Sequence, residues 1–159
     1  MKCERTIGIM YSTLMVFDAS VENPHNDWTD AQVRQGFVWR SSALSFGVVA
    51  DSLEARVRVA SDPDRLERQP DVVRSICVPF EMHASGRVVI ESLQGDDISL
   101  ELVAGHYALR VDQGLLASET CWIDASFERV DSPIQPEITV ADAAIVVPAV
   151  FDMSGRPAK

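Results

Sequence analysis

A period of two constrains this chain more than any other feature. From Ile7 onward, apolar and polar residues alternate in short runs, and helical spacing is nearly confined to Thr29–Gln35. Successive side chains on a strand point to opposite faces, so alternation marks strands with one buried side. In Glu54–Val59 the valines point one way, and Glu54, Arg56 and Arg58 the other. The same reasoning predicts strands within Ile7–Phe17, at Ala43–Val49, Val72–Met82, Arg87–Leu93 and Ile98–Val103, and at His106–Asp112 and Glu119–Val130. Pro79 lacks a backbone donor and marks an edge or a bulge in its strand. Ser85-Gly86 reads as a hairpin turn, as does Gly95-Asp96-Asp97, while Ser61–Asp71 and Gln113–Ser118 read as loops. Short strands at this spacing predict an all-β fold, an antiparallel β-sandwich with one short helix near residues 29–35.

The helix carries its own punctuation. Thr29 can cap it, and Gln32 stands three residues later, where the partner of a capping box belongs. Trp28 precedes the cap and Val33 is the fourth helical residue, so the two can form a hydrophobic staple. Asp30 in the first turn suits the positive end of the helix dipole. Gly36 can adopt the left-handed conformation that ends such a helix.

Asp131-Ser132-Pro133-Ile134-Gln135-Pro136 breaks the pattern. It divides the chain into a sandwich domain over residues 1–131 and an arm over 132–159. The arm is expected to add an edge strand or to pack on the domain, with Gly155–Lys159 frayed. No run approaches the roughly 20 apolar residues of a membrane span. The apolar stretch near the N-terminus is broken by Tyr11, Ser12 and Thr13 and lacks a small-residue cleavage site, so it reads as strand. Cys3, Cys77 and Cys121 are three and far apart, which argues against a disulfide framework and favours reduced thiols in a cytoplasm.

Charge narrows the partner. The net charge is −10, and it is uneven. Residues 1–90 carry 12 acidic and 10 basic side chains; residues 91–152 carry 12 acidic and only 2 basic ones, Arg110 and Arg129. Nucleic acid needs cations against its phosphates, so direct binding of it is disfavoured. A basic protein partner would be steered in instead.

Catalytic chemistry finds little to stand on. His25, His83 and His106 lie apart, without metal-ligand spacing. There is no nucleophile-elbow serine and no glycine-rich phosphate loop. Asp96 and Asp97 could contribute to a calcium site, but no loop signature surrounds them. No cofactor, metal or catalytic residue is assigned, and a non-enzymatic role is expected.

Strand faces offer a candidate interface. On Cys121–Glu128, Trp122, Asp124, Ser126 and Glu128 share the face opposite Cys121, Ile123, Ala125 and Phe127. Asp97 and Glu101 are outward on their strand, and Asp112 is outward with Arg110 on the next. If these strands are neighbours, Trp122, Asp124, Glu128, Asp97, Glu101 and Asp112 form an acidic face with one aromatic anchor. Tryptophan is enriched among binding hot spots. The competing reading buries Trp122 under the C-terminal arm, since tryptophan is usually buried. The Ala19–Asn26 loop and the Asp51-Ser52 turn are further surface segments a partner could touch.

Several of these pieces recur together in one family. Asp27-Trp28-Thr29, the short helix, Gly36-Phe37 and Ala43-Leu44-Ser45-Phe46 come first. Val78-Pro79-Phe80, Ile90-Glu91-Ser92, Gly105-His106-Tyr107-Ala108-Leu109 and Trp122-Ile123-Asp124-Ala125 follow in order. Over roughly residues 7–128 the chain resembles the competence protein J family, inhibitors of a DNA-entry nuclease. The shared residues Asp27, Trp28, Thr29, Gly36, Phe46, Pro79 and Tyr107 look architectural. The resemblance implies a protein that binds and blocks a DNA endonuclease, either a competence-type nuclease or an antibacterial DNase toxin. The alternative from another class is a small-ligand or carbohydrate-binding sandwich, which should show an apolar, aromatic-lined pocket. A third is an assembly subunit that uses the arm as an added strand.

Overall fold

A computed structural model describes residues 1–50, 54–117 and 120–159. The Asp51-Ser52 turn lies outside the described residues. Among the described residues, eleven strands form two packed sheets, accompanied by one helix. The six-stranded sheet runs β1 (Lys2–Gly8), β5 (Glu54–Ser61), β10 (Thr120–Val130), β9 (Gly105–Ala117), β6 (Arg74–Met82), β11 (Glu137–Val140). The five-stranded sheet runs β3 (Phe37–Val38), β4 (Ala43–Gly47), β2 (Thr13–Asp18), β7 (Arg87–Ser92), β8 (Asp97–Glu101).

The alternating residues build the layer between the sheets. Ala55, Val57 and Val59 of β5 lie beside Cys121, Ile123, Ala125 and Phe127 of β10, facing Leu14, Val16, Leu44, Phe46 and Ile90 of the other sheet. Phe127 meets Phe80 and Tyr107 edge-on, at centroid separations of 5.4 and 6.3 Å. Tyr107 is buried among them, and its hydroxyl donates to the Val103 carbonyl at 2.6 Å. A buried phenol needs such a partner.

The all-β sandwich is as expected, but its connections differ in four respects. First, β5 and β10 pair in parallel, Val57 beside Ile123, so the sandwich is not wholly antiparallel. Second, Ser85-Gly86 does not close a hairpin: β6 belongs to one sheet and β7 to the other, and the turn carries the chain between layers. Third, β9 continues through the expected loop to Ala117. A Cβ on Gly114 would overlap the Trp122 indole, so this glycine makes room for a ring and not for a turn. Fourth, the C-terminal residues are tied down. The Gly155 amide donates to the Trp39 carbonyl at 3.0 Å, and the Ala158 amide to that of His25 at 2.9 Å.

Helix α1 (Asp30–Gln35) follows its local signals. Thr29 Oγ1 accepts from the Gln32 amide at 3.2 Å, and Gln32 Oε1 accepts from the Thr29 amide at 2.9 Å. Gly36 ends it at φ 88°. Its amide donates to the Gln32 carbonyl at 3.0 Å. The C-terminal segment both adds β11 to the edge of β6 and packs on the helix: Ile145 lies against Gly36, and Gln35 exchanges hydrogen bonds with Asp152. Since β11 pairs only with Ser75–Cys77, Pro79 stands where the ladder has ended, as its missing N–H requires.

Candidate functional site

The proposed acidic face does not exist as a single surface. Asp97 and Glu101 lie on β8, in the five-stranded sheet; Asp112, Trp122, Asp124 and Glu128 lie on β9 and β10, in the six-stranded one. Within that second group the parity is right and the exposure is wrong. Trp122 points away from the layer between the sheets, yet none of its surface reaches solvent. Its indole packs at Gly114 and its Nε1 has no hydrogen-bond partner. It is not an exposed anchor, and the C-terminal arm, which packs on α1 and the edge of β6, is not shown covering it.

The two aspartates are held in place by arginines. Asp124 accepts from both Nε and Nη2 of Arg58, and Gln69 Nε2 joins it at 3.2 Å. Asp112 takes a 2.5 Å hydrogen bond from Ser75 Oγ and lies within 3.3 Å of Arg110 and 3.5 Å of Arg68. Both carboxylates are at least 95% buried. The segment between β5 and β6 crosses this face, bringing Arg68 and Gln69 onto it. Burying a carboxylate is costly unless it is paired and hydrogen-bonded, and here both conditions are met. These side chains fasten a segment to a sheet and offer no free charge to a partner.

Three of the six candidates remain exposed, in three places. Asp97 is paired with Arg5, which also donates to its backbone carbonyl. Glu101 stands at the other end of β8, opposite Arg87 in register. Glu128 lies on the six-stranded sheet, beside Arg65 and Arg110. Asp96 accepts from the Gly8 amide at 3.0 Å and so tethers a turn, and among the described residues no cluster could hold a metal ion.

A depression of about 520 Å³ on the six-stranded side is lined mainly by charged residues, Lys2, Glu4, Arg58, Arg65 and Glu67 among them; the apolar opening is on the five-stranded side. A cleft of about 530 Å³ runs from the β1–β2 turn to α1, lined by Tyr11, Trp28, Val33, Val48, Leu93 and Ile145 among others. Trp28 and Val33, the two members of the expected staple, both line it, and Val33 remains 57% exposed. Arg74 at its floor is neutralised: Nε and Nη2 hold both oxygens of Asp142 at 2.8 and 2.9 Å. Burial works against the Asp142 carboxylate, but the Arg74 guanidinium outweighs it and holds the group below the usual carboxylate range.

The mouth of the cleft is unusual in its backbone. Tyr11 and Ser12 both have left-handed conformations, at φ 56° and 48°. Met10 and Thr13 bridge across them, so the chain reverses in two residues. Such reversals favour Asn and Gly, which tolerate positive φ. Here a tyrosine occupies the first position with 75% of its surface in solvent. In the sequence Tyr11, Ser12 and Thr13 only interrupt an apolar stretch, because a turn without Gly or Asn does not look like a turn.

Comparison with known proteins places these features in a family. A family model for competence protein J (ComJ) matches residues 6–130. Sequence comparison with curated proteins gives no match. Among solved structures, the crystal structure of ComJ from Bacillus subtilis, an inhibitor of the DNA degrading activity of NucA, is similar. The TM-score is 0.65 at 23% identity, over 79% of this chain and 95% of that one. A protein titled crocagin biosynthetic gene J aligns at a TM-score of 0.48 and 16% identity, over 79% of this chain and 96% of that one. The shared stretch contains the capped helix, Tyr107 and strands β2 to β10 but not β11 and the rest of the C-terminal segment, and on that match the chain belongs to the competence protein J family.

Proposed function

We propose that this protein inhibits a DNA endonuclease by binding it and denying DNA its active site. The observation that carries the reading is the family match across residues 6–130. It is supported by a fold like that of a nuclease inhibitor and by the net charge of −10. A nuclease groove must be electropositive to hold phosphates, so an acidic competitor has a target ready. On this reading the protein is not an enzyme, and it works in the cytoplasm, where its three free thiols are at ease. The target is a competence-type nuclease or, in an immunity role, an antibacterial DNase toxin.

The test is a cleavage titration. Purified protein is added to NucA and to endonucleases encoded in the same genome, and plasmid degradation is followed. Loss of cleavage near an equal molar ratio is the expected result. Undiminished cleavage by every nuclease in the series overturns the reading. Association should also slow as salt rises, because opposite charges are screened.

One observation favours a second reading. The apolar, aromatic-lined cleft is the feature a small-ligand module would have. A screen of apolar ligands by thermal shift tests it, and absence of any stabilisation counts against it.

A further inference from the structure

We infer that one end of the sandwich, with Tyr11 at its centre, is the surface that enters the nuclease groove; this rests on the inhibitor reading above.

The strand registers define that end. Gly8 closes β1 opposite Glu54, which opens β5; Glu54 in turn neighbours Thr120, which opens β10 and faces Ala117 at the end of β9. Side chains and turns tie the second sheet to the same level. The Gly8 amide binds Asp96 after β7, the Val48 amide binds the Ser12 carbonyl at 2.8 Å, and the Val49 amide binds Gln113 Oε1 at 3.0 Å.

Exposed apolar side chains gather there. Tyr11 is 75% exposed, Leu115 52%, Leu116 49% and Leu93 36%. The far end contributes Val103 and Met1, and a second exposed group, Val33, Val146, Val147 and Val150, belongs to α1 and the C-terminal segment that packs on it. Each apolar group comes from a different connection or from the end of β9, so the sequence does not show them as a group. Contiguous exposed apolar surface rimmed by polar residues marks interaction sites.

Tyr11 supplies the independent argument. A left-handed tyrosine is disfavoured, because its Cβ crowds the backbone; Asn accepts the conformation more readily. Selection for the turn alone would have placed Asn or Gly there. Local strain of this kind collects at functional positions. A large amphipathic ring held at the tip of a two-residue reversal is a rigid anchor with little entropy left to lose on binding.

Charge identifies the occupant. The exposed Glu54 and the half-buried Asp96 stand around this end, Asp97 is there in a pair with Arg5, and the buried arginine, Arg74, is taken up by Asp142 and the Gly47 carbonyl. Arg56, Arg58, Arg65, Arg68 and Arg110 lie instead on or over the outer face of the six-stranded sheet. An electropositive groove is complementary to the first surface; on the second, Arg56, Arg58, Arg68 and Arg110 are taken up by Glu4, Asp124 and Asp112, which leaves no unpaired acidic patch to draw such a groove in.

The experiment uses two end variants and two controls in the cleavage titration. Tyr11→Asn removes the ring and relieves the turn. The pair Leu115→Ser and Leu116→Ser, made together, empties the end of β9. Glu128→Gln and Arg65→Ala alter the opposite face. Tyr11→Asn should raise the concentration for half-inhibition at least tenfold while the melting temperature stays level or rises. The leucine pair should act in the same direction, and the controls should match the wild type. Wild-type inhibition retained by both end variants overturns the assignment and leaves the inhibitor reading standing. A wild type that inhibits no nuclease in the series overturns both. Loss of inhibition in the controls but not in the end variants moves the interface to the six-stranded sheet and also overturns it.

Discussion

The outer faces of the two sheets begin from the same alternation and end in opposite states. On the six-stranded sheet the outward residues are charged, yet arginines and a crossing segment convert them into interior: Asp124 with Arg58 and Gln69, Asp112 with Ser75, Arg68 and Arg110. On the five-stranded sheet the outward residues Met15, Phe17 and Val89 are apolar and are covered by Ala19 and Val21, and only to one side of them does the face open, in the cleft beside α1. The lesson is that outward and exposed are different properties. Polarity on a strand face says which side avoids the layer between sheets, and nothing about what the rest of the chain lays over it.

Breaking the closed face should have the larger thermodynamic effect. Trp122→Ala removes a fully buried indole and should cost about 4 kcal/mol in denaturant unfolding. Inhibition by the protein that stays folded should be unchanged. A stable Trp122→Ala variant with weakened inhibition would reverse the comparison, since it would make Trp122 a contact. Asp124→Ala leaves Arg58 without its partner on a largely buried face and should cost about 3 kcal/mol. Restoring neutrality with Arg58→Met in the same chain should recover part of that loss, and no recovery would show that packing, not pairing, fastens the segment.

The third effect is intermediate and depends on pH. Asp18 is buried at the end of β2, where desolvation opposes its charge. Hydrogen bonds from Ser85, Ser20 and the His83 amide outweigh this and keep its carboxyl below the ordinary range. A depressed folded value stabilises the protein above the unfolded value, near 3.9, and the gain is lost as pH falls through the folded one. Asp18→Asn should therefore cost about 2 kcal/mol at neutral pH, a gap that closes on acidification below pH ~4. A gap that stays constant with pH would assign the effect to shape alone. The smallest effect belongs to the open side. Thr29→Ala deletes one half of the capping box and should cost about 1 kcal/mol, with earlier amide exchange across α1 as its local signature.

Legibility in the sequence followed the distance over which each feature is decided. The helix was readable to the residue because Thr29, Gln32 and Gly36 settle it among themselves. Most strand positions were readable because alternation is local; β1 was not, since it begins at Lys2 and ends at Gly8 while the alternation predicts a strand from Ile7, and the two-residue β3 carries too little pattern to read. Sheet membership was not: a Ser-Gly turn reverses the chain equally well within a sheet or between two, and Ser85-Gly86 does the second. The parallel β5–β10 pair joins segments 66 residues apart, with no local trace of it. Gly114 misled for a physical reason, since a residue without a Cβ serves a turn and a ring's close approach alike. Of the candidate site, Trp122, Asp112 and Asp124 were placed on the correct side of their strands. What covers that side depends on Arg58, Arg68 and Gln69, which reach it from other elements. Tyr11 went unnoticed as a tip because the residue there contradicts the turn it makes.

The parallel pairing of β5 with β10 has a consequence in time. Val57 must find Ile123 and Val59 must find Ala125 before β1 and β5 can join the rest of the larger sheet. The β9–β10 hairpin can zip early from its own tip, but it then waits with one edge of β10 unsatisfied until a strand made long before swings in beside it. Loop closure over that span must be met before the contacts return anything. Chains organised this way refold in milliseconds to seconds, not microseconds. During that wait the apolar side of β10 is available to any other extended chain, so crowding during refolding should reduce the yield of this protein more than any weakness of its finished form.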